Sequence, residues 1–223
     1  MPAIYAKSES QRKATEYEIK AVYVYNYLLF TEWPPSDAVE QDKDSSDSNA
    51  NDKTITIGIL GEDPFGDSFS EVEDKVIKEI NKKLVIKRLG DYSEEVDLKE
   101  CDLLFICSTE KKNLKAILNR IKGEPILTVG DMKNFLETGG MINLLKVGSK
   151  VRWEINHTRV KESGLRLNSQ LLRAAVRVIE TSNKSESKTL QEADAYSFKP
   201  RRYGFSTTSS RMRELLVCLQ ILL

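Results

Sequence analysis

The stretch Thr54-Ile-Thr-Ile-Gly-Ile-Leu60, closed by Gly61, decides the fold. It is short, dense in β-branched residues and ended by a turn former, the mark of a strand buried on both faces. Such strands belong to parallel sheets with helices on either side. Lys83 to Leu89 and Cys101 to Cys107 read as second and third strands, and Pro125-Ile-Leu-Thr-Val129 as a fourth. Between them, Phe69 to Asn81 sets Val72, Val76, Ile77 and Ile80 on one helical face. Leu114, Ile117, Leu118 and Ile121 mark another helix, closed by Gly123. Strand alternating with helix predicts an α/β fold: a Rossmann-like, mostly parallel sheet with flanking helices.

Towards the N-terminus, Glu16 to Trp33 repeats apolar and aromatic residues at helical spacing until Pro34-Pro35 blocks the helix. In the other direction, Asp131 to Thr138 forms a short helix broken by Gly139-Gly140. Strands follow at Met141 to Val147 and Val151 to Asn156, and Gly148-Ser149 between them predicts a hairpin, giving the sheet an antiparallel edge. A last helix is expected from its cap at Asn168 through Leu171, Leu172, Ala175, Val176 and Ile179. Residues 16–181 thus form one α/β domain, interrupted by an acidic loop at 36–53. Residues 1–15 read as a flexible N-terminus and 182–223 as a polar linker with an apolar tail, Leu215-Leu-Val-Cys-Leu-Gln-Ile-Leu-Leu223.

Composition removes several function classes. In 223 residues, 34 basic side chains balance 34 acidic ones, so there is no positive field to hold nucleic acid. No apolar run approaches the roughly 20 residues that span a bilayer. One histidine and three cysteines leave little from which to build a zinc site or a His-based triad. Cys101 and Cys107 close opposite ends of one strand, roughly 20 Å apart and beyond disulfide reach. The opening Met1-Pro-Ala-Ile-Tyr-Ala6 has no basic patch or long apolar stretch, so by itself it predicts a chain that stays in the cytoplasm.

Three places could carry chemistry. Gly61-Glu-Asp-Pro-Phe-Gly66 follows the first strand, where open α/β sheets bind ligands. A phosphate loop needs Lys and Ser/Thr after its second glycine, whereas Asp67-Ser68 stand here and Glu62 and Asp63 would repel phosphate. The glycines then serve the turn while Pro64 and Phe65 cover the core. In an alternative reading, Asp63, Phe65 and Gly66 line a crevice for a cell-wall or solute fragment, with Phe65 stacking on a ring. Asp131 and Glu154 could be imagined as an acid–base pair, but the plainer reading makes Asp131 a helix cap and Glu154 an ion-pair partner. Alternation in Val151-Arg-Trp-Glu-Ile-Asn156 puts Arg152, Glu154 and Asn156 on one face of a strand. Packed under helices, that polar face must be satisfied internally; turned outward, it offers a recognition surface. No motif asks for a cofactor or a metal.

Five blocks in order resemble the YfiR-like family of secreted bacterial proteins over roughly residues 16 to 180. They are Glu16-Tyr-Glu-Ile-Lys-Ala21 with Tyr25-Asn26 and Glu32-Trp33-Pro34, then Gly61 to Gly66, Gly139-Gly-Met-Ile-Asn143, Arg152 to Asn156, and Leu165-Arg-Leu-Asn-Ser-Gln-Leu-Leu172. The resemblance implies a non-catalytic periplasmic regulator, able to dimerise, that represses an inner-membrane diguanylate cyclase, or a sensor kinase, through its periplasmic portion. It associates partner contact with Arg152, Glu154, Asn156, Arg166 and Asn168, with Glu154 first among them. On that reading Glu154→Lys leaves the fold intact and releases repression. Family members can carry redox-sensitive disulfides. Here Gly58 stands in the first strand where a half-cystine would face Cys101.

Overall fold

The computed structural model describes residues 14–34 and 54–180. The expected N-terminal arm to residue 13, the acidic loop at 36–53 and the tail from 182 lie outside the described residues. The chain begins with α1 (Glu16–Leu29), whose cap Thr15 accepts from the Glu18 N–H while the Glu18 carboxylate accepts from the Thr15 N–H. The predicted helix to Trp33 stops at Phe30, and Thr31–Glu32 is instead a short strand, β1. There follow β2 (Thr54–Leu60), β3 (Val76–Ile77), β4 (Lys82–Gly90), β5 (Leu103–Ile106), α2 (Leu114–Arg120), β6 (Leu127–Gly130) and α3 (Phe135–Thr138). β7 (Ile142–Val147), β8 (Lys150–Asn156), α4 (His157–Glu162), β9 (Arg166–Leu167), α5 (Ser169–Ala174) and β10 (Arg177–Ile179) complete the order.

Eight strands form one sheet in the order β10-β8-β7-β6-β5-β2-β4-β3, and β1 pairs with β9 in a second, two-stranded sheet. The pairs β10–β8, β7–β6, β6–β5, β5–β2 and β2–β4 are parallel, whereas β7–β8 and β3–β4 are antiparallel. The α/β class, the mostly parallel sheet and the Gly148 hairpin are as the sequence predicts, with β10 added outside the hairpin.

Two helix expectations are corrected. Phe69 to Asn81 is not a helix: a 3-10 turn at Gly66–Phe69 leads through further turns into β3. Asp74 and Asn81 both take positive φ, 63° and 53°, which a helix cannot contain. The helical spacing was coincidental, since Val72 and Ile77 are buried while Val76 is 58% exposed. The last helix likewise ends at Ala174, and Arg177–Ile179 extends beside Glu154–Asn156 of β8. Three β-branched residues of four, Val176, Val178 and Ile179, favour the strand once an edge is open to receive it.

The sheet divides the core into two layers. On one side α1 packs on Ile55, Ile57, Ile59, Leu103, Phe105, Val129 and Trp153, and from Lys20 to Leu28 every one of its residues is buried. On the other, α2 and α3 cover Leu60, Leu104 and Ile106. Gly58 shows why this packing is specific. A Cβ there would lie 2.4 Å from the Cys101 Sγ, so the thiol fills the place of the missing side chain. Both Cys101 and Cys107 are free and buried. Burial pushes the Cys101 thiol up to about 11. Gly58→Cys should therefore form a bridge to Cys101 on mild oxidation, counted as two thiols lost to alkylation after denaturation. Two alkylatable thiols at these positions in the oxidised protein would show that the strands cannot adjust to disulfide geometry.

Candidate functional site

The polar face of β8 lies under α3, and its side chains are satisfied from within. Asn143 of β7 accepts from the Met132 N–H (3.1 Å) through Oδ1 and donates from Nδ2 to Glu154 Oε1 (3.0 Å). Arg177 of β10 donates from Nε to Glu154 Oε2 (2.7 Å) and from Nη2 to Glu137 Oε1 of α3 (2.8 Å). Its bond to Arg177 holds the Glu137 carboxyl below the usual glutamate value, and the bonds to Glu137 and Glu154 hold the guanidinium above its own. Asn156 donates to the Leu136 carbonyl (3.1 Å) and accepts from the Arg159 N–H (3.2 Å), so it caps α4 while tying down α3.

Of the side chains expected to meet a partner, Glu154 and Asn156 are only 8% and 9% exposed. They are internal connectors, which corrects their expected place on an outward recognition surface; no partner can reach the Glu154 carboxylate without displacing Arg177. Arg152 is half-buried. Arg166 and Asn168 are exposed: the Arg166 side chain is 84% free and 4.0 Å from Glu32, and Asn168 caps α5 by accepting from the Gln170 N–H. Arg173, Val176 and Val178 are exposed as well, Val176 (55%) just before the outermost strand β10 and Val178 (39%) within it. Asn143, Glu137 and Arg177 escaped the sequence reading. Asn143 was visible within Gly139 to Asn143, but Arg177 was hidden inside a presumed helix.

A second cluster sits at the C-terminal ends of the central strands. Asp131, expected to cap α3, does not; that position falls to Asn134, at φ 63°. Its Oδ2 instead accepts from the Tyr17 hydroxyl (2.9 Å) and the Lys20 ammonium (2.8 Å). Lys20 also pairs with Glu16 at 2.7 Å, and Glu16 with Lys146 at 2.8 Å. Burial works against the Lys20 charge, yet the bonds to Asp131 and Glu16 hold its pKa above the usual lysine value. Asp131 and Glu154 therefore serve separate networks, each bound to its own cation, and the structure does not bring them together as an acid–base pair.

The loop Gly61 to Gly66 borders that cluster. Phe65 is 4% exposed and packs edge-on against Tyr17, Phe69 and Phe105 at 5.8, 5.1 and 4.7 Å. It covers the core, as in the plainer reading of the sequence, and is not free to stack on a ligand ring, which corrects the alternative. Asp63 accepts from the Phe65 N–H and from Arg88, while Gly66 supplies a turn at φ 51°. On the α1 side of the sheet a shallow groove runs between α1 and α5, walled by Tyr23, Tyr27, Phe30, Trp153 and Leu171. Among the described residues no group of three His, Cys, Asp or Glu side chains is placed to hold a metal, and no helix is long and apolar enough to cross a membrane.

Comparison with known proteins bears on the whole of this framework. The model of a family described as YfiR/HmsC-like matches residues 17–176. No curated protein matches. Among solved structures, a conserved domain protein from Vibrio cholerae O1 biovar El Tor is similar at 14% identity and a TM-score of 0.38. That alignment covers 56% of this chain and 54% of the Vibrio chain, so it spans about half the length of the structure it matches.

Proposed function

We propose, for a chain that belongs to the YfiR/HmsC-like family, that it is a periplasmic regulator acting by binding rather than catalysis. Its target is the periplasmic portion of an inner-membrane diguanylate cyclase or sensor kinase, which it represses, and it works as a homodimer. The observation that carries the reading is the contrast between buried and exposed polar residues of the matched blocks. The motif carboxylate Glu154 is sealed by Asn143 and Arg177, whereas Arg166 and Asn168, and further along the chain Arg173, Val176 and Val178, are exposed. An exposed rim of arginines around apolar edge residues suits protein recognition. Repression follows if the regulator binds the inactive state of its target more tightly than the active one, since equal affinity shifts nothing.

The exposed residues provide the test. Arg166→Glu combined with Asn168→Asp reverses one charge and adds another, yet Asp keeps the α5 cap. Stability should stay within about 0.5 kcal/mol, as is usual for surface changes. Capture of the cyclase or kinase from host membranes should fall at least about tenfold, a loss of roughly 1.4 kcal/mol, and cyclic-di-GMP or kinase output should rise. Unchanged capture and output at normal protein abundance would remove this surface from the interaction.

A further inference from the structure

The chain leaves β2 for β4 on one side and returns through β5 on the other, so the switch point of this sheet lies between the C-terminal ends of β2 and β5. Open α/β sheets hold their ligands there. In this protein the place is taken by its own first helix. Tyr17 packs edge-on against Phe65 of the loop after β2, and Tyr17 and Lys20 both donate to Asp131 after β6. The Lys20 ammonium also stands 4.4 Å over the Tyr17 ring, so the two side chains form one unit. Cys107, at the end of β5, is 2% exposed and lies in the same apolar layer as α1, while Cys101 lies in the layer beneath α2.

The burial of α1 divides it into two parts. Residues 16 to 19 are half-buried, held by the Thr15 capping box, the polar contacts of Glu16 and Tyr17 and the packing of Tyr17 and Ile19 on the edge of the core, with the buried Lys20 closing the turn. From Ala21 to Leu28 the helix is enclosed on all sides and cannot leave without opening the core. We infer that the first turn of α1 is a built-in plug of the switch-point crevice, latched by Tyr17 and Lys20 on Asp131, and that it opens as a unit while the rest of the domain stays folded. Opening is local because none of residues 16 to 19 is fully buried, whereas every residue from Lys20 to Leu28 is, and the less buried end of an element is where a segment unfolds apart from the core. This inference stands apart from the proposed function and survives if the partner surface proves to lie elsewhere.

Two of the three native thiols report on it. In a Cys218→Ser background, the rates at which Cys107 and Cys101 react with a neutral alkylating reagent are followed by mass spectrometry. Thr15→Ala removes the cap and leaves the buried charges paired; it should raise the Cys107 rate about fivefold, the population change that a lost N-cap implies. Thr15→Ser should restore the slow rate. Lys20→Met, which undoes the latch, should raise the Cys107 rate further, and in every variant Cys101 should stay as slow as in the parent. If Lys20→Met fails to fold, the Thr15 pair still decides. Parallel acceleration of both thiols would mean that the turn opens only with the whole domain, and an unchanged Cys107 rate in Thr15→Ala would mean that it is no plug; either result overturns the inference, as does acceleration of Cys101 alone.

Discussion

Glu154→Lys is expected to lower the unfolding free energy by about 3 kcal/mol, the upper part of the cost of leaving buried polar groups unmatched, since the Arg177 partner is half exposed and can turn to water. The carboxylate is 11% exposed and accepts from both Asn143 and Arg177. A lysine there brings only donors to face donors. Asn143 cannot turn its oxygen to meet the ammonium, because that oxygen already accepts from the Met132 N–H. Arg177 would be repelled, and β10 would lose the side-chain bond that ties it to β8, keeping only the one to Glu137 of α3. Glu154→Gln keeps the shape and one acceptor, so it should cost about 1.5–3 kcal/mol, the range for a hydrogen bond to a charged group. Urea denaturation followed by circular dichroism measures both; a lysine variant with the parent's midpoint would mean that the network is open to water in solution. The functional consequence departs from the sequence expectation. Loss of repression by Glu154→Lys would reflect scarcity of folded protein, so the exposed Arg166 and Asn168 are the positions at which recognition is to be tested.

The second large effect is expected at Gly140. A Cβ on this residue would lie 2.2 and 2.3 Å from ring carbons of Phe135, and one on Gly130 would lie 2.6 Å from the same ring. Phe135 is fully buried and sits between these two backbones, which have no side chain to give way. Gly140→Ala should therefore cost about 3 kcal/mol, the upper part of the range for overpacking. Space is the cause at Gly140, whereas its neighbour Gly139 is needed for its φ of 113°. A second change separates the two. Phe135→Leu should recover part of the stability lost in Gly140→Ala, and the pair should be less damaging than the sum of the single changes. Strict additivity in thermal melts would rule out the ring contact as the source.

Much of this fold could be read along the chain. β5 is an uninterrupted apolar run and β2 a short, β-branched one, and a strand buried on both faces is the natural reading of each at that length. The Gly148 hairpin and the cap at Asn168 were legible because their chemistry is local, whereas the capping box at Thr15, equally local, went unread. The segment from Phe69 to Ile80 was not, since four apolar residues at helical spacing say nothing of the two left-handed residues that break the helix. The five ordered blocks now have a physical meaning. Tyr17 meets Phe65, Asn143 meets Glu154, Glu32 pairs with Arg166, and the Trp153 indole donates to the Leu171 carbonyl. The blocks are where the chain touches itself.

The class of fold, the succession of its main strands and the family resemblance could be read along the chain, because periodicity, turn residues and local motifs are properties of short segments. Which polar residues are free could not. Arg152, Glu154 and Asn156 share a face of β8 whether that face meets water or α3, and the choice depends on a helix and an edge strand far from them in the chain. Alternation says which side chains point the same way; packing says what lies in front of them.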